Sequence, residues 1–340
     1  MSEIKHVGKL RCALENTPEE LFFSLVDYRN NLFTSNDPEK IIEFYNGFHN
    51  RDQLIQWMKE RPKGASYIHE VEGDKDIIVV IPTADFNGKY ARTCREEIFK
   101  GLHMVFVESG ENPDPYFNYA HNCNVGIKRA MEYNPKWVVV SNDDMIKRDT
   151  VNKLRDELIK FNSKEVDIVF PFPPARFHSC PVTIVTTYRW LYSLIRIFGT
   201  KTLKFKNTLN KKFNVNIHFY RYIPLITKKI CTFINFTSFG IFSTTFVDES
   251  GGKPFDETFI NAFEDLDLSL YIFRNNKIAF CSYLIDEFIH GTLEDSEARK
   301  LSTFAGNVYF SYKISNELKN QKEMFKRKLR IKRKYRCSKA

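Results

Sequence analysis

Short apolar runs set the rhythm of the middle of the chain. "DIIVVIPT" (76 to 83), "HMVFVES" (103 to 109), "KWVVVSND" (136 to 143) and "VDIVFPF" (166 to 172) are rich in Val and Ile on consecutive positions. β-Branched residues favour the pleated conformation, and a continuous apolar run suits a strand buried on both faces, as in a parallel sheet. The stretches between, about 91 to 100, 118 to 132 and 149 to 161, carry helical patterns. Strands alternating with helices predict an α/β layered domain.

The flanks read differently. The first 70 residues predict helices: Thr17, Pro18 and Glu20 in "TPEELFF" make an N-cap, a first helical position and a capping partner, and Asp37 with Pro38 repeats the device. From 177 to about 232 the alternation stops. "INFTSFGIFST" (234 to 244) predicts a strand returning to the sheet, and "NAFEDLDLSLYIFRN" (261 to 275) a helix with Phe263, Leu266, Leu270 and Phe273 in one stripe. Strand-like "KIAFCSYLI" and a helix from about Ser296 close the body. This divides the chain into a helical N-terminal extension (1–72), two halves of a main domain (73–175 and 233–312), an insert between them (176–232) and a tail (313–340).

Composition supports a large core: 340 residues, 43% hydrophobic and 15% aromatic, form a globular rather than a disordered chain. Seven cysteines stand singly, without a C-x-x-C pair, which suits a reducing compartment and argues against zinc of ordinary spacing. "MSEIKHVGKLRC" lacks the apolar core of a signal peptide, and no stretch of about 18 consecutive apolar residues occurs. The cytoplasm is therefore the expected location.

Net charge is +9, unevenly spread. Residues 176 to 230 hold 11 Lys/Arg and no acid, and residues 313 to 340 hold 12 against two Glu; the rest carries 28 basic and 40 acidic side chains, a net −12. An acidic body thus wears two basic segments. Its charge is a poor surface for a phosphate backbone, so nucleic acid is not the expected partner.

Polar residues gather where ligands sit in open parallel sheets, beyond the carboxyl ends of the strands. Pro82 and Thr83 follow the first run, Glu108 and Ser109 the second, and Asn142, Asp143 and Asp144 the third. Carboxylates there can hold a divalent cation that binds a diphosphate, although acids in that place can also simply cap the next loop. A second group, Glu264, Asp265 and Asp267 in "FEDLDL", opens a helix, where acids are favoured by the helix dipole in any case; Glu264 and Asp265 nevertheless fall off the apolar stripe. His290 in "DEFIHGT" follows a strand-like run, and an imidazole suits a borderline cation such as manganese, although a lone histidine is commonly structural.

The order "IPT", "VESG", "NYAHNCNVGI", "VVVSNDD", "GGKPFDETFINAFEDLDLSL" and a late His resembles the family 2 glycosyltransferases of GT-A fold, over roughly residues 76 to 176 and 233 to 292. The resemblance implies a GT-A, Rossmann-like mixed sheet, mostly parallel and flanked by helices, and an inverting sugar transfer from a nucleotide-diphosphate donor. It implies that Pro82, Thr83 and Glu108 line the nucleobase and ribose pocket, with His121 and Asn124 beside the nucleotide. Asn142 and Asp143 would approach ribose or sugar, Asp144 and His290 would ligate Mn²⁺ or Mg²⁺, and Asp265 would be the catalytic base with Glu264 beside it. Two positions depart from the family: Asn142 stands where Asp is common, and Glu108 where Asp is usual. The alternatives are a sugar-nucleotide pyrophosphorylase, disfavoured because "TADFNGKYAR" has one glycine, and a catalytically silent binding module of the same fold, suggested by Asn142.

The basic segments suggest where such an enzyme would work. "TTYRWLYSLIRIFG" (186 to 199) predicts an amphipathic helix of interfacial type, and "KEMFKRKLRIKRKYRCSKA" a polybasic tail. The expectation is a peripheral protein on the inner face of the cell membrane, acting on a glycan or lipid-linked acceptor at that anionic surface.

Overall fold

In the computed structural model, the described residues are 47–109, 116–171, 179–186, 201–206, 212–220, 230–234, 238–275, 277–287, 302–310 and 312–313. The helices predicted from "TPEELFF" and "NDPEKIIEFY", the amphipathic segment after Thr186, His290 and the basic tail beyond Lys313 lie outside them.

Helix α1 (Arg51–Glu60) starts on Asn50, whose side chain accepts from the Asp52 and Gln53 N–H groups, and ends at Arg61, which is extended before Pro62. A residue preceding proline is driven out of the α region, so the helix stops there. The next segment, expected to be helical, is instead strand β1 (Ser66–Val71). It pairs antiparallel with a later strand over 102–109, from Ser66 opposite Ser109 to Val71 opposite Met104, so the tertiary ladder decides its conformation.

The strands predicted from the apolar runs are β2 (Asp74–Thr83), β3 (Leu102–Ser109), β4 (Trp137–Ser141) and β6 (Ile168–Pro171), with a short β5 (Met145–Lys147) after β4. Helix α2 (Lys89–Thr93), running into a π-turn (Cys94–Ile98), joins β2 to β3; α3 (Tyr119–Met131) joins β3 to β4; α4 (Val151–Leu158) joins β5 to β6. The basic insert contains strands, which the break in pattern did not predict: β7 (Ser179–Thr186), β8 (Lys201–Lys206), β9 (Lys212–Tyr220) and β10 (Ile230–Ile234). After it come β11 (Phe239–Ser243), α5 (Thr244–Glu249), α6 (Glu264–Asn275), β12 (Ile278–Cys281) and β13 (Ile285–Glu287), then a helix α7 over 302–310.

Seven strands form one mixed sheet in the order β1-β3-β2-β4-β11-β6-β12. β3, β2, β4, β6 and β12 point one way; β1 and β11 run against them. Both faces are covered, which is why the strands are apolar without alternation. Ile77, Val79 and Ile81 pack with Val139 and Phe106 under α2, the π-turn and α4. Ile78 and Val80 pack with Val105, Val107 and Val140 under Ala120, Cys123 and Ile127 of α3. Full burial of one such side chain contributes about 1.5–3 kcal/mol. Gly126 lets α3 sit close, since a Cβ there would lie 2.4 Å from Val80 Cγ1.

The strands of the insert form a second sheet ordered β10-β7-β9-β8. Its β7–β9 pair is parallel and the other two pairs are antiparallel. Among the described residues no helix is long and apolar enough to cross a membrane.

Candidate functional site

The chain leaves β2 on one side to form β3 and returns on the other to form β4, both parallel to β2. That reversal opens a crevice beyond the carboxyl ends of β2 and β4. Pro82 lies past the last β2–β4 pair, Val80 with Val140, and keeps register only with Val107 of β3, so it deprives the β4 ladder of no donor.

The crevice is bridged at its mouth. Thr83 Oγ1 donates to Asp143 Oδ2 at 2.7 Å, and the Cys94 thiol of the π-turn donates to the Asp143 carbonyl at 3.2 Å. Asn142 is engaged at four points: its N–H donates to Ser238 O at 2.8 Å, its carbonyl accepts from the Ser141 hydroxyl at 2.9 Å, its Oδ1 accepts from the Tyr119 hydroxyl at 2.9 Å, and its Nδ2 donates to Glu287 Oε1 at 3.2 Å. Asp144 Oδ1 is buried without a hydrogen-bond partner. Burial, then the charges of Glu287 and Asp143, push the Asp144 carboxyl up to about 7, and burial raises Asp143 as well.

Glu287 reaches this turn because β13 pairs antiparallel with β5, setting Glu287 opposite Met145. The short β13 is pinned from below. Glu157 of α4, buried and ion-paired to Lys153 and Lys160, accepts from the Ser282 N–H and hydroxyl at 3.0 and 2.8 Å, and Asp149 accepts from the Leu284 N–H at 2.8 Å.

The second acidic group arrives through α3. Tyr119 is the first residue of that helix; its N–H donates to Asn261 Oδ1 at 2.8 Å, while Asn261 Nδ2 donates to Phe117 O at 3.2 Å. The N-cap Asn118 donates to the carbonyls of Glu257 and Phe259 at 3.0 and 2.8 Å. These bonds hold the loop that leads into α6, where Asn261 and Phe263 have φ of 52° and 75°. Asn tolerates the left-handed region, but a bulky aromatic there costs about 1–3 kcal/mol, a strain found where a site is over-determined by its surroundings. Phe263 therefore precedes the helix rather than lying in its stripe. Glu264 and Asp265 open α6, with Glu264 buried at 8% exposure and Asp265 Oδ1 accepting from the Leu266 N–H at 2.8 Å. Burial holds the Tyr119 phenol well above its ordinary range, and Cys123, Glu264 and Asp265 add to the shift. Tyr119 thus bonds Asn142 directly and lies in the field of Glu264 and Asp265.

The remaining expected residues are engaged by other partners, although Glu108 lies in register with Thr83. Glu108 is held on both oxygens, by the Phe86 N–H at 3.0 Å and by His69 Nε2 at 2.7 Å, with the His69 ring stacked on Phe86. Asn124 donates to Phe255 O at 2.8 Å and accepts from the Phe255 N–H at 3.2 Å. His121 Nδ1 lies 3.1 Å from Glu257, whose carboxyl is drawn down to about 2 by His121, against burial, with help from Asn124. Both therefore secure the 253–257 loop instead of facing the crevice. Asp267 is taken up by Lys313, which also binds Asp256.

Tyr119, Asn261 and Glu287 were missed by sequence reasoning. Glu287 carried a faint signal, sitting three residues before His290 in "DEFIH". Comparison of the chain with protein-family models, curated proteins and solved structures gives no match.

Proposed function

We propose that the protein is a metal-dependent, inverting glycosyltransferase of GT-A type that moves a sugar from a nucleotide-diphosphate donor to a glycan or lipid-linked acceptor. The observation that supports this reading is the link through Tyr119. The Tyr119 hydroxyl bonds Asn142, the residue before Asp143 and Asp144, and the same phenol lies in the field of Glu264 and Asp265, some 120 residues further along the chain.

Asp144 fits a cation: a buried carboxylate oxygen without a partner, in a field of like charge, is relieved by a hard divalent ion. Among the described residues no group of three His, Cys, Asp or Glu side chains is placed to hold a metal ion. When bound, Mn²⁺ or Mg²⁺ would neutralise the leaving diphosphate, with Asp144 and His290 as its protein ligands. Thr83 and Asp143 orient the donor at the strand ends. Asp265 takes the proton of the acceptor hydroxyl on the opposite face, and Glu264 shapes its surroundings. One displacement results, and no covalent enzyme intermediate forms.

Residues 168 to 247 contain no acidic side chain, which favours work at an anionic membrane surface. The deciding experiment compares sugar transfer by Asp265→Asn and the natural protein at matched folding. A loss of at least 100-fold, roughly the contribution of one general base, is expected; near-normal transfer by the variant would remove the assignment.

A further inference from the structure

The family resembled commonly carries Asp at the position of Asn142, and the loss of that charge is what raises the question of a silent site. The surroundings of Asn142 answer it. Glu287 is a carboxylate and can only accept, so the amide must turn its Nδ2 toward Glu287 at 3.2 Å and its Oδ1 toward the Tyr119 hydroxyl at 2.9 Å. An aspartate in that place would set two like charges against each other. The negative charge missing from the turn therefore stands on β13, where Glu287 is opposite Met145, the residue after Asp144 with its unpartnered Oδ1.

We propose that Glu287 belongs to the cation and diphosphate site in place of an acid at 142, and that Asn142 and Tyr119 are positioning residues that hold its carboxylate there. This rests on the transferase reading for the identity of the ligand, but not for the pairing itself.

The test uses the full chain and four variants, N142D, E287Q, N142D/E287Q and Y119F. The first readout is the thermal midpoint in chelator. N142D lowers it by about 4 °C, the scale of a half-buried like-charge contact in a chain of this size. The double variant recovers most of the loss, because the carboxylate introduced at 142 can accept from the amide introduced at 287. If N142D does not accumulate as folded protein, recovery of folded protein in the double variant gives the same result. The second readout is the rise in midpoint with Mn²⁺ alone. E287Q raises the half-saturating Mn²⁺ concentration about tenfold, and Y119F, which leaves the amide free to turn, raises it by a smaller factor.

A double variant no better than N142D, an N142D midpoint equal to the natural one, or an unchanged Mn²⁺ response in E287Q each overturns the proposal, as does a natural protein indifferent to Mn²⁺. If Mn²⁺ binds as described but no nucleotide sugar is turned over, the transferase reading fails while Glu287 keeps its place at the cation.

Discussion

Asp144→Asn isolates the cost of placing an acid where it is needed rather than where it is comfortable. The folded protein holds the Asp144 carboxyl at about 7 against an ordinary 3.8, through burial first and the charges of Glu287 and Asp143 second. At full burial each pH unit of that interval is worth about 1.4 kcal/mol. The side chain is partly open to water, so screening reduces the total to about 1–2 kcal/mol. Because the native value is raised, the folded state binds more protons than the unfolded one between pH 3.8 and 7, and stability falls as pH rises through that window. Below it the acid is neutral in both states and the cost disappears. In chelator, Asp144→Asn should therefore be more stable than the natural protein by about 1–2 kcal/mol at pH 8, and indistinguishable at pH 3.5, by urea unfolding. A variant less stable at pH 8, or a difference that does not change with pH, would refute the reasoning and mark Asp144 as a structural cap.

Two further outcomes follow from the packing and the loop. Gly126→Ala places a Cβ 2.4 Å from Val80 Cγ1 and 2.9 Å from Val107 Cγ2, both fully buried, so it should lower stability by about 1–3 kcal/mol; adding Val80→Ala should return part of that loss in the same urea titration. Glu257→Gln removes a carboxyl drawn down to about 2 from an ordinary 4.5 by His121. A depressed acid stabilises above its unfolded value and loses that contribution as pH falls toward its native one, so the variant should be weaker by about 1 kcal/mol at pH 6 after screening, with the gap closing between pH 4.5 and 2.

The sheet was legible where local pattern and tertiary context agree. Continuous Val- and Ile-rich runs announce strands covered on both faces, and β2, β3, β4, β6 and β11 stand within a few residues of the predicted spans. β1 was not legible, because "SYIHEV" becomes a strand only when β3 offers its free edge. Nor was the second sheet, in which β8 and β9 carry lysines and asparagines that break the apolar signal.

The sequence by itself determined the α/β class, the strand ends on which acids gather, and the first-turn position of Glu264 and Asp265, because these depend on periodicity and on neighbours along the chain. Tertiary structure alone decided which acids meet. Tyr119 joins the Asn142 turn to α6, β13 delivers Glu287 to the same turn, and His121 and Asn124 are spent on the 253–257 loop. Such pairings span more than 20 to 145 residues and are fixed by helix-to-sheet packing and strand register, quantities that no local pattern of polar and apolar residues encodes.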